Sequence, residues 1–158
     1  MKNIITWIFS IFVAFIFAQS LVFKLSGSIE TTIIFDTIAA WMSTIGMPQA
    51  IANFFSEFGG YSVALAELIA ALLILVPKTR IIGASLGLVV ISGAIFFHLF
   101  TPLGIDRVVD FAGNTDGGAL FYTACAVFVS TLIIIGLSVR TKLNNQSKTR
   151  LSTLNYAA

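Results

Sequence analysis

Four long apolar runs constrain this chain more than any other feature. They extend from Ile4 to Phe23, from about Tyr61 to Val76, from Ile81 to about Phe100, and from Gly118 to about Leu137. A hydrocarbon core of about 30 Å needs roughly 20 apolar residues in helical form. Only helices or closed barrels satisfy every backbone polar group in lipid, and these runs lack the alternation of a barrel strand. The expected fold is all-α: an integral membrane four-helix bundle over residues 1–140, followed by a polar, basic tail at 141–158, loosely ordered at its end. Composition agrees, with 58% hydrophobic and 10% charged residues against roughly 45–50% and 25% in soluble domains. The first run is expected to be a retained span. It is longer than the apolar region of a signal peptide, although Ala18-Gln19-Ser20 looks like a cleavage site.

Basic residues near span ends set orientation. Lys2, Lys78, Arg80, Arg140, Lys142, Lys148 and Arg150 fall on one side of a four-span arrangement, and only Lys24 and Arg107 on the other. That second side holds every acid outside the spans. The first side, with both termini, is therefore expected to be cytoplasmic. A net charge of +2 gives no reason to expect nucleic acid as a partner.

The loops differ in character. Pro77–Arg80 is a tight turn that makes a hairpin of the second and third spans. In the long first outer loop, Ile33, Ile34, Ile38, Trp41, Met42 and Ile45 recur at helical spacing. Pro48 then suits the first turn of another helix, carrying Ile51, Phe54, Phe55 and Phe58 and stopping at Gly59-Gly60. Two short amphipathic helices are expected, over 31–45 and 48–58. They either lie in the lipid interface or cap the bundle. The second outer loop, Thr101–Gly117, is short, polar and acidic and reads as a solvated connector.

Glu67 stands within the second span, where a carboxylate is disfavoured by roughly 2.5–3.5 kcal/mol. Gly60, Ala64, Glu67 and Ala71 share one stripe, and small stripes let helices approach closely. Glu67 is therefore expected to face protein. The third span repeats the pattern with Gly83 and Gly87, a GxxxG extended by Ala94 and His98. At about 1.5 Å per residue, His98 lies about 25 Å above the cytoplasmic edge, Glu67 about 15 Å, Gln19 about 22 Å and Lys24 about 30 Å. Glu67, His98, Gln19, Lys24 and Tyr122 are thus candidate ligand-binding residues in the outer half, with His98 the nearer partner for Glu67. Three readings compete: a pocket for a small lipid-soluble molecule, a structural hydrogen-bond network, or part of a proton or ion path.

Several chemistries lack the residues they need. One histidine cannot supply both axial ligands of a b-type haem. Cys125, the only cysteine, makes neither a disulfide nor, with one His, a zinc or iron–sulfur site. No phosphate-binding GxxxxGK[ST] occurs. No metal and no covalently bound cofactor is expected; a quinone or a lipid is the candidate ligand.

The order of several loose motifs resembles the DoxX family of small bacterial membrane proteins. Phe23-Lys24-Leu25-Ser26-Gly27 closes the first span, and Trp41 leads to Gly46-Met47-Pro48. Ala66-Glu67-Leu68-Ile69-Ala70-Ala71 precedes the basic turn Pro77-Lys78-Thr79-Arg80. Gly83 and a span closing on Phe97-His98 complete the match, over about residues 4–137. The resemblance implies a four-helix inner-membrane bundle that serves as a membrane subunit of a redox system, quinone-linked in some members, with other membrane or periplasmic subunits as partners. Related proteins act as maturation factors, so a non-enzymatic assembly or anchoring subunit is the alternative, and a proton- or solute-conducting protein the third reading. The family brings no agreed catalytic residues to carry over, and the single cysteine argues against direct dithiol exchange.

Overall fold

A computed structural model describes the backbone of residues 2–157 and the side chains of residues 4–147. It is an all-helical bundle: α1 (Lys2–Leu25), α2 (Ile29–Thr44), α3 (Gln49–Leu75), α4 (Arg80–Phe100) and α5 (Ala119–Ala157). Four of these, α1, α3, α4 and α5, are long and apolar enough to cross a membrane. They close a ring in which α1 neighbours α3 and α5, and α4 neighbours the same two. Neighbours in the ring are antiparallel. One end of the bundle carries the 76–79 turn; the other carries α2 and the 101–118 loop. These are called the turn end and the loop end.

Val13, Phe17, Ile74, Val127 and Ile134 fill the centre of the ring. Ile4, Phe15, Leu65, Leu72, Ile82 and Val89 stay exposed on its outside. An apolar interior beneath an apolar exterior makes sense only with lipid as the outer solvent.

The α3–α4 hairpin is closest near its turn. A Cβ on Gly83 would lie 2.5 Å from the Ile74 nitrogen, so only glycine permits that approach. Gly87 sits against the Phe17 ring, and Ala64 and Ala71 are both buried. The small stripes do meet neighbouring helices.

One expectation at the loop end needs correction. Gly59-Gly60 does not stop a short helix. Behind Pro48 as N-cap, residues 49–58 and the second span form one continuous 27-residue helix. The glycines lie in mid-helix because Phe35 and Thr31 of α2 press on them, with a Gly59 Cβ position only 2.5 Å from the Phe35 ring. Glycine here serves close packing rather than termination. The other expected helix forms as α2. Its start is capped by Ser28, whose Oγ accepts from the Thr31 amide, and it ends before Gly46 at φ +80°, a left-handed geometry that favours glycine. Ile38, Ala39 and Met42 of α2 pack with Ala52 and Leu103 in a second small core, and Trp41 stacks edgewise on Phe96 and Phe97. Of the two readings offered, α2 is a cap on the bundle.

The expected tail is continuous with the last span, since α5 remains helical to Ala157. Side chains beyond Ser147 lie outside the described residues.

A candidate ligand cavity at the loop end

A cavity of about 380 Å³ lies in the loop-end half of the bundle, lined by residues of all five helices. That is enough for a small organic ring system. Phe17, Ile34, Val90, Ala94 and Phe97 give it largely apolar walls, and Lys24, Glu67 and His98 supply its charged and titratable groups.

Lys24 and Glu67 form a two-pronged ion pair. Lys24 Nζ lies 2.8 Å from Glu67 Oε1 and 2.7 Å from Oε2. Its third proton goes to the Ser20 hydroxyl one turn back. The ammonium therefore has no donor left, whereas both carboxylate oxygens keep lone pairs. His98, also buried, does not touch Glu67. Its Nδ1 is 2.6 Å from the Gly104 carbonyl oxygen. A carbonyl can only accept, so Nδ1 carries a proton in this contact, and in the neutral form of the ring Nε2 is the acceptor. No partner for Nε2 exists among the described residues. Phe121 holds the ring edge-on at 5.7 Å between centroids.

The expected Glu67–His98 partnership is thus replaced by Glu67–Lys24, for two geometric reasons. First, helix starts are not level. Arg80, the first residue of α4, stacks on Trp7 with its guanidinium 4.3 Å from the ring centroid. Residues before Trp7 hang below the turn, and a count from Ile4 places Lys24 about 4–5 Å too high. Second, helical side chains lean toward their own N-terminus. Lys24 leans down on α1 while Glu67 leans up on antiparallel α3, so they reach toward each other.

Two other candidates fall elsewhere. Gln19 is exposed on α1, and Tyr122 is exposed against Gly118 and Phe121; neither lines the cavity. Each shares the right depth but not the right face. Ser20 and Thr123, which do line it, carry a weak sequence signal: a hydroxyl one turn from Lys24, and one residue's rotation from Tyr122.

The cavity has a side opening. Ser62 on α3 and Val89 on α4 are lining residues that remain exposed, Val89 at 70%. Gly93, also lining, has nothing within 4 Å of its Cβ position. Ser62 and Gly93 are each 13 residues from their end of the hairpin, so they stand at one level, about 20 Å from the turn. The gap between α3 and α4 faces outward, toward lipid.

Above the cavity the 101–118 loop is braced rather than simply solvated. Arg107, 5% exposed, donates from Nη2 to Glu30 Oε2 at 2.9 Å, tying the loop to α2. Its Nε lies 3.2 Å from Asp116 Oδ2, within ion-pair distance but not aligned for a hydrogen bond. The expectation of a plain connector fails because Arg107 and Leu103 turn inward while Asp106, Val108 and Phe111 stay outside. Asp110 closes a small turn by accepting from the Ala112 and Asn114 amides and the Asn114 side chain. Those bonds, the Asn114 side chain foremost, hold its carboxyl below the usual range.

Fold and cavity together define the class: a multi-pass helical membrane protein with an apolar interior chamber open to the side. Comparison with protein-family models, curated proteins and solved structures finds no match.

Proposed function

We propose that this chain is a bacterial inner-membrane subunit of a redox system, similar to DoxX-like proteins. It holds a quinone-type molecule in the loop-end cavity, with both termini in the cytoplasm and the loop end facing the periplasm. The observation that carries the reading is the cavity itself: apolar walls, an opening toward lipid, and a polar end whose unused groups are acceptors. Glu67 oxygens, joined by His98 Nε2 when the ring is neutral, suit a ligand that donates hydrogen bonds, such as the dihydroxy form of a quinone. A redox step would draw electrons to or from a partner subunit, in keeping with a membrane or periplasmic protein neighbour. An anchoring subunit would instead suit a chamber shut by a Glu67–His98 bond, and that bond is not made. Orientation rests on seven basic residues toward the turn end against two toward the loop end.

A photoreactive quinone analogue in lipid nanodiscs tests the reading. Label is expected on peptides covering residues 16–24 and 89–98, competed by excess quinol. Gly93→Leu, which narrows the opening, should reduce labelling severalfold while the protein stays folded. Labelling that is undiminished by competitor, or absent from both segments, overturns the reading.

A further inference from the structure

At the opposite end of the bundle lies a cation without a counter-charge. Arg80 is 7% exposed. Its Nε donates to the Ile74 carbonyl at 3.0 Å, and Thr79 Oγ1 donates to the Leu73 carbonyl at 3.0 Å. Together they cap the C-terminus of α3, whose dipole offers about half a negative charge. No carboxylate among the described residues pairs with the guanidinium. Nη2 is buried with no hydrogen-bond partner among the described residues, and one face is covered by Trp7. All seven acids of the chain lie from Glu30 to Glu67 or from Asp106 to Asp116. None is placed at the turn end, so no side-chain carboxylate can neutralise Arg80.

A buried guanidinium with open donors is stable only beside an anion. Trp7, which stacks on it, is itself 38% exposed and is the residue type favoured at headgroup depth. Lys78, Arg140 and Lys142 are exposed cations of the same end. We propose that Arg80 and Trp7 form a specific seat for the phosphodiester of an anionic phospholipid. Nη2 has no exposed surface, so the guanidinium edge takes the phosphate oxygens with a shift of the Arg80 side chain, and the exposed cations add only diffuse attraction. This site is separate from the loop-end cavity and does not depend on the function proposed for it.

Native mass spectrometry of the full chain in detergent, titrated with phosphatidylglycerol or phosphatidylcholine, tests the seat. One retained phosphatidylglycerol is expected in preference to phosphatidylcholine. Arg80→Gln should weaken that retention by well over fivefold. Lys78→Gln should weaken it by about fivefold or less, the ordinary worth of one cation at an anionic surface. Should Arg80→Gln not fold, the combined Lys78→Gln/Arg140→Gln variant decides, because it leaves Arg80 intact and must keep the preference. Equal retention of the two lipids, or equal losses in the Arg80 and Lys78 variants, overturns the proposal. So does displacement of the lipid by millimolar inorganic phosphate, which would make the seat one for a soluble anion.

Discussion

Lys24 spends all three ammonium protons on its surroundings, two of them on Glu67 across the α1–α3 interface. Removing one partner leaves the other charge stranded in a low-dielectric interior. Glu67→Leu and Lys24→Met should each lower stability by about 3–5 kcal/mol. The double variant should recover most of that loss, because two apolar groups leave nothing unpaired. Thermal unfolding in one detergent checks this; a double variant no better than the singles would show that the pair is not the cause.

Gly83 and Gly93 sit on the same helix in opposite situations. A methyl on Gly83 meets Ile74 backbone, whereas one on Gly93 meets nothing. Gly83→Ala should therefore destabilise by about 1–3 kcal/mol as the hairpin is forced apart. Gly93→Ala should stabilise by up to about 1 kcal/mol through helix propensity. Opposite signs in paired unfolding curves are the expected result.

The continuity of α3 through Gly59-Gly60 has its own signature. Amides of residues 59–63 should exchange with deuterium as slowly as those of the adjoining turns. Phe35→Ala, which removes the ring packed on both glycines, should speed exchange there first. Fast exchange at these amides in the unaltered protein would mean two helices rather than one.

Asp110 gives the 101–118 loop a pH dependence of known sign. Its carboxyl is lowered in the folded state by the Asn114 side-chain bond above all, then by the Asn114, Ala112 and Gly113 amides. A lowered value means the contribution is complete above the unfolded value near 3.8 and disappears as pH falls through the folded one. Carbon-13 NMR of labelled aspartate should show Asp110 titrating below the free residue, and Asn114→Ala should move it back up. No movement in that variant would count against the assigned cause.

Much of this architecture is legible in residue order alone. The four spans follow from the length of the apolar runs, the hairpin from Pro77–Arg80, and the inward face of Glu67 from Ala64 and Ala71. What residue counting misses is relative height and rotation. Lys24 and Glu67 meet because Trp7 and Arg80 set the vertical register, a contact between residues 73 positions apart that no local pattern announces. Gln19 and Tyr122 have the expected depth but point away, and depth alone carries no azimuth. Gly59-Gly60 has the composition of a stop, yet the packing partner that makes it a crossing point, Phe35, lies two dozen residues upstream.

The side opening between Ser62 and Gly93 changes how binding to this protein must be counted. An occupant arriving through it leaves a two-dimensional solvent, so occupancy follows its mole fraction in the bilayer and not its aqueous concentration. Diluting the protein in buffer leaves that ratio untouched; diluting the ligand with extra lipid lowers it. A dissociation constant that looks weak in detergent can thus correspond to a filled chamber in a membrane where the ligand is one lipid in a hundred.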